Sequence, residues 1–388
     1  MAETLKLGNG EWATKENSLL SYNDENGNYK PLPFDFTRAS SATVVNKAGL
    51  IETVQSGIPR IDFLGNTNGA LLLEPQRTNL NTYSDPTDAQ KGSTSYAAVT
   101  YQDNFNWGLG NVINNAIVFG DNSTTRYAYY NNAVSSGTEY TLSAFIKMDD
   151  NSVPIPATDF LIVLAGSSIA SGYSVKDYGN NIYRVYVSGN AGGSNTANGI
   201  LKVASNSSKG FKISAFQLEQ GSYPTSYIPT QGSTVTRVAE TCNGAGNDQV
   251  FNDSEGVLYV ETSLLNESIN DSRISISDGL SVENRITLRY FDNNDLGVQI
   301  GFTGGFNETV SLSAGNNKVA VVYNSTNASI FVNGVKLATN TMPSLSGLSQ
   351  LQFARFSNSS LPFYGKTKDV KVFNTALTDA ELQALTTI

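Results

Sequence analysis

Histidine is absent from the 388 residues. That removes the commonest general base, the usual activator of a serine or cysteine nucleophile, and a favoured zinc ligand. Ser-His-Asp, Cys-His and His-ligated metal chemistries are excluded, and only carboxylate, Lys or Tyr chemistry is left. A single cysteine, Cys242, rules out an intrachain disulfide and with it a small disulfide-stapled scaffold. Charge is scarce too: 15% of residues are Asp, Glu, Lys or Arg, against about 25% in an average soluble domain. The balance is acidic, at −9. With no basic run, a grip on phosphate backbones is not expected, so nucleic acid is not an expected partner. No apolar run approaches the roughly 18 residues of a membrane-spanning helix. Residues 1–8 carry neither the basic nor the apolar region of a secretory signal.

What is present is strand-forming. Aromatics reach 10%, and short runs rich in Val, Ile, Tyr, Phe and Thr alternate with Gly/Asn/Ser/Asp turns. That pattern predicts a mainly β chain of antiparallel β-sandwich (jelly-roll) domains. Three segments separate. Residues 1–80 read as an irregular adaptor with closely spaced turns, among them Asn26-Gly27 and Asn46-Lys47-Ala48-Gly49. Residues 81–230 read as a first sandwich, with strands around 140–146, 160–164, 182–187 and 211–218. The two prolines and two tyrosines of 223–233 predict an extended connector.

Residues 240–388 read as a second sandwich. Asn333-Gly334 makes a two-residue hairpin loop between 329–332 and 335–338. One short C-terminal helix is expected over 379–386, capped by Thr378 with Glu381 three residues on, and stapled by Leu377 and Leu382.

Several strings resemble virion fibre or accessory proteins of tailed, crAss-like bacteriophages. They include Phe36-Thr37-Arg38-Ala39-Ser40, Pro59-Arg60-Ile61-Asp62, and the run Leu71-Leu72-Leu73-Glu74-Pro75-Gln76-Arg77-Thr78-Asn79-Leu80. The run from Phe216 to Thr230, followed by Thr236-Arg237-Val238-Ala239-Glu240, resembles the join after a carbohydrate-binding-module-like jelly roll. The ending from Lys368 to Leu382 is similar to the close of laminin-G-like, concanavalin-type sandwiches. The opening from Leu5 to Ala13 resembles the start of crAss-like phage structural proteins.

The resemblance implies a particle component, a head fibre or tail fibre, located in the virion. It would dock onto capsid or tail proteins through Leu5, Leu7 and Trp12, assemble as a homotrimer, and display its sandwiches to host or mucus glycans. A carboxylate-based polysaccharide depolymerase and a secreted cellular glycan-binding protein are the alternatives.

Candidate sites divide between ligand and scaffold. Trp107 and the group Tyr127, Tyr129 and Tyr130 could stack on sugar rings, with core packing as the competing expectation. Tyr127 and Tyr129 share a strand face, and Tyr130 points the other way. Asp292-Asn293-Asn294-Asp295 and the group Asn247, Asp248 and Asp253 offer oxygen ligands of the kind calcium takes, but turns use the same residues for backbone reasons. No cofactor is expected otherwise. No Glu-x-Asp-x-x-Glu string is present to supply paired glycanase carboxylates, so no catalytic residue is assigned. Arg60, Arg77 and Arg237, close to Asp62, Glu74 and Glu240, read as ion pairs that position the fold. Cys242, without a histidine partner, reads as a buried small side chain.

Overall fold

A computed structural model describes residues 3–23, 30–97, 99–121, 125–169, 171–192, 197–203, 209–265, 271–291, 294–302, 305–355 and 360–388. The mainly β expectation holds: strands dominate, and among the described residues Asp379–Thr386 is the single α-helix. The chain divides into two compact units. One comprises Met1–Ala39, Val54–Pro75 and Ala239–Ile388; the other comprises Ser40–Thr53 and Gln76–Val238.

The first unit packs a large sheet against a five-stranded one. In the large sheet, Leu5–Gly8 pairs with Gly365–Phe373, which pairs in turn with Gly256–Leu264. The five-stranded sheet is built from β1 (Ser272–Ser277), β2 (Arg285–Tyr290), β3 (Asp295–Ile300), β4 (Phe306–Ser311) and β5 (Gln350–Gln352), in the order β4-β3-β2-β1-β5. Leu258, Val260, Val319 and Val321 from one sheet and Ile274, Ile276, Ile286, Leu288 and Val298 from the other form a shared core. Each such side chain contributes about 1.5–3 kcal/mol through burial.

Residues 1–80 do not stand apart as an adaptor. Leu5 faces Val372 and Leu7 faces Val370 in the sheet register, and both leucines are buried in the core, at 0% and 2% exposure. The alternation Leu5-Lys6-Leu7 gives the strand one apolar face. Only pairing with another strand satisfies its backbone groups while that face is buried. Neither leucine is therefore available as a docking residue. Trp12 packs partly buried against the same core, and its Nε1 donates to the Asn68 carbonyl at 2.7 Å.

Four charged side chains close the interior of this unit. Arg60 donates from Nη2 to Glu74 at 2.8 Å and from Nε to Glu240 at 2.9 Å, and Arg38 donates to Glu240 at 2.7 Å. The second Glu240 oxygen also accepts the Glu74 backbone N–H at 2.9 Å. Burial alone would lower the Arg60 pKa, but Glu240 and Glu74 outweigh it and hold the guanidinium above its usual value. Asp62 pairs with Lys366 nearby. The expected ion pairing of Arg60 is thus present. Cys242 lies buried opposite Phe36, and burial, with Glu240 and Asp35 adding to it, pushes its thiol well above the usual range.

The predicted hairpin and helix are found as expected. Asn333 and Gly334 both take positive φ, 49° and 85°, between the paired residues Val332 and Val335. Thr378 and Glu381 form the reciprocal capping box, with Leu377 and the buried Leu382 in one apolar cluster. The Asn26-Gly27 turn lies outside the described residues.

The second unit packs a six-stranded sheet, which includes Glu139–Met148, Tyr183–Asn190 and Phe211–Gln220, near a five-stranded sheet. The latter includes Arg126–Asn131, Ala197–Lys202 and Leu161–Leu164. Glu139–Met148, Leu161–Leu164, Tyr183–Asn190 and Phe211–Gln220 are the strands the sequence pattern predicts; Arg126–Asn131 and Ala197–Lys202 are additional. The 223–233 stretch differs from expectation: it is packed rather than extended free of its neighbours. Asn79 donates to the Phe216 and Ile228 carbonyls, Gln217 accepts from the Ile228 N–H, and the Tyr227 hydroxyl lies 2.6 Å from the Ser84 hydroxyl. Side chains that satisfy its backbone hold it down, and the unit boundary falls later, between Val238 and Ala239.

Candidate functional site

The aromatic candidates separate by face. Trp107 is buried at 1% exposure and its Nε1 donates to the Asn115 carbonyl; Tyr130 is buried at 2% against Phe216. Both are core residues, so neither offers a ring to a sugar. Tyr127 and Tyr129 lie on the opposite strand face, half-buried and stacked on each other with centroids 4.7 Å apart. Burial and then the neighbouring Tyr127 raise the Tyr129 pKa, so its hydroxyl stays protonated. Tyr127 sits beside Leu201 and Tyr129 beside Gly199. Gly199 is required there, since a Cβ would lie 2.0 Å from the Ala128 carbonyl oxygen. A small apolar platform results.

A second recess in the same unit, of about 500 Å³, is lined by Arg77, Thr78, Tyr140 and Gln220 among others. Arg77 is held over the Tyr223 ring at 5.3 Å and stands 4.0 Å from Glu219. Glu219 is already engaged by Gln217 and by both the N–H and the hydroxyl of Thr225.

The calcium candidates are engaged by protein groups: Asp253 spends both oxygens on the Gly347 and Leu348 N–H groups, Asn247 accepts from the Gln249 N–H in a turn, and Asp295, which opens β3, accepts from the Ser311 hydroxyl. Asp292 and Asn293 lie outside the described residues. No group of three or more metal-ligating side chains occurs among the described residues.

The most organised polar surface is one the aromatic reading missed: the outer face of the β1–β5 sheet. Strict alternation in Arg273-Ile274-Ser275-Ile276-Ser277 and Arg285-Ile286-Thr287-Leu288-Arg289 sends the aliphatic phase into the core and leaves the other phase polar. The register then lines up Gln352, Ser275, Thr287, Gln299 and Asn307, one from each strand, in a row across the whole sheet. Solvated sheet faces carry exposed polar side chains, yet Ser275, Thr287 and Gln352 are buried. The Ser275 hydroxyl donates to the Ala354 carbonyl, whereas Thr287 Oγ1 and Gln352 Nε2 have no hydrogen-bond partner. Buried polar atoms seldom stay unsatisfied, because each costs about 1–3 kcal/mol. The row runs out to the half-buried Gln299 and the exposed Asn307, the members that a polyhydroxylated ligand can reach from solvent.

The fold and this face describe an antiparallel β-sandwich protein with one polar sheet face. Residues 265–383 match the model of the Concanavalin A-like lectin/glucanases superfamily. No curated protein matches the chain.

Among solved structures, the CBM40 module of the Ruminococcus gnavus IT-sialidase bound to α2,3-sialyllactose is similar over 37% of this chain and 93% of its own. Its identity is 19% and its TM-score 0.31. Domain 4 of AbnA, a GH43 extracellular arabinanase from Geobacillus stearothermophilus in complex with arabinotriose, is similar over 43% and 83%, at 13% identity and TM-score 0.33. The leech intramolecular trans-sialidase is similar over 38% of this chain and 26% of its own, at 20% identity and TM-score 0.32. Similarity at that level carries no inference about this chain.

Proposed function

We propose that this chain is a non-catalytic glycan-binding protein whose recognition surface is the polar face of the β1–β5 sheet, with the Tyr127/Tyr129 platform as a secondary contact. The observation that carries the reading is the Gln352–Ser275–Thr287–Gln299–Asn307 row, which runs from an enclosed polar end to the half-buried Gln299 and the exposed Asn307. The lectin-type family match over 265–383 supports it, though that superfamily also contains glucanases. Binding to a glycan array by the full chain is expected, and Asn307→Ala should weaken it about five- to tenfold, the worth of one hydrogen bond. Silence across bacterial and mucin glycans would overturn the reading. Shortening of a bound polysaccharide would favour a depolymerase instead.

We further propose that the protein serves as a head- or tail-fibre component of a tailed phage particle, holding it to host or mucus glycans. Support comes from the strings around 36–80 and 216–240. Mass spectrometry of purified particles checks this directly; absence of the chain from them would refute it.

A further inference from the structure

Arginines bracket the polar row. Arg273 and Arg289 are register partners on β1 and β2, and Arg285 stands at the other end of β2 opposite Ser277. Arg355 follows β5. Three of the chain's ten arginines thus lie on one sheet and a fourth follows its edge strand, in a protein of net charge −9.

The three on the strands are held by the fold. Asp271 binds Arg273 through both oxygens at 2.7 and 2.6 Å and reaches Arg289 at 3.1 Å. Arg289 also lies 4.8 Å above the Phe291 ring. That ring occupies the space a side chain at position 297 would need, since a Cβ on Gly297 would come within 2.8 Å of it. Arg285 donates to Gln299 at 2.7 Å, from within the polar row, and packs against Phe302. Asp271 and the exposed Glu283, which accepts the Phe302 N–H, are carboxylates beside this cluster, and Asp295 stands on the same face of β3. Burial first, and then Arg273, Arg355 and Arg289, lower the Arg285 pKa to about 10.

Like charges gathered in a partly desolvated place destabilise one another, and an incoming anion relieves that repulsion. Guanidinium groups also match carboxylate and sulfate oxygens in paired, planar geometry. We propose that this face takes an acidic saccharide, its carboxylate or sulfate drawn to the half-buried Arg289 and Arg355 beside the buried Arg285 while its hydroxyls meet Gln299 and Asn307. The inference rests on the glycan-binding reading above and narrows its ligand class.

Affinity electrophoresis of the full chain, in gels containing polygalacturonate, dextran sulfate, methyl-esterified pectin or dextran, tests it. Retardation by polygalacturonate, by dextran sulfate or by both is expected, and identifies the preferred anion; the two uncharged polymers should not retard the protein. Affinity should fall at least tenfold in Arg285→Gln/Arg289→Gln and on raising the salt to about 0.5 M, where the screening length shrinks to a few ångströms. Lys209→Gln/Lys212→Gln, in the other unit, should bind as the parent does. Should the double arginine variant fail to melt cooperatively, Arg289→Lys, which keeps the charge but loses the planar fork, and the salt dependence of the parent decide the matter. Retardation that salt and the arginine variants leave unchanged would overturn the inference. Binding confined to neutral array glycans and lost in Asn307→Ala would overturn it too, while leaving glycan recognition standing. Binding to no saccharide would overturn both.

Discussion

Glu240 holds more of the first unit together than its place in the sequence suggests. Its two oxygens take Arg38, Arg60 and the Glu74 N–H, with no exposure of any of the side chains it pairs with. A buried pair adds little over apolar packing, but breaking one leaves an uncompensated charge in the interior. Glu240→Gln is expected to cost about 3–5 kcal/mol, measured by equilibrium denaturation; a loss below about 1 kcal/mol, the usual worth of an exposed pair, would show that the cluster is solvated. The ion-pairing role of Arg60 is legible in the sequence but its partners are not: neighbouring Asp62 pairs with Lys366, and Arg60 reaches Glu74 and the distant Glu240. The arginines on β1 and β2 were not singled out, although the alternation that sets them on the polar phase is plain in Arg273–Ser277 and Arg285–Tyr290. What alternation does not reveal is register. Arg273 meets Arg289 because of how the intervening turn closes, and a shift of one residue would have sent both to the other face.

At the scale of elements, local signals were read correctly and distant pairings were not. The Asn333-Gly334 hairpin and the Thr378 cap depend on residues a few positions apart, so propensity and capping chemistry suffice to place them. Leu5–Gly8 pairs with a strand more than 350 residues away, and nothing in a four-residue alternation names that partner. The same blindness made an adaptor of what is a sheet strand. A direct measurement separates the two views. Leu7→Ala should destabilise the protein by about 2–5 kcal/mol if the side chain fills the core, but by no more than about 0.5 kcal/mol if it serves an exposed surface. Denaturant titration reads the difference, and a surface-sized effect would refute the placement of this strand.

Across the whole molecule, composition marked the wrong joint. Prolines and tyrosines at 223–233 break the strand pattern, but Asn79 and Gln217 tie that stretch to its own unit. Unit membership follows instead from pairing between segments that the chain visits at separate times: Met1–Ala39, Val54–Pro75 and Ala239–Ile388 share one core. Residues 240–388 alone would therefore lack the Leu5–Gly8 and Ala70–Leu73 strands that pair with Gly365–Phe373, and Glu240 would lack both of its arginines.

The chain leaves and re-enters this unit at neighbouring points. Arg38 accepts the Gly57 N–H through its carbonyl at 2.8 Å, and Glu74 accepts the Glu240 N–H at 3.1 Å. Short Gly-Ser links joining Ala39 to Val54 and Pro75 to Ala239 can thus replace everything between without stretching the backbone. The excised unit is expected to melt cooperatively and to retain the saccharide affinity of the full chain, whereas a 240–388 fragment should not fold. Cooperative melting of that fragment, or loss of binding in a well-folded excised unit, would mean that the sandwich or its recognition face is completed elsewhere in the molecule.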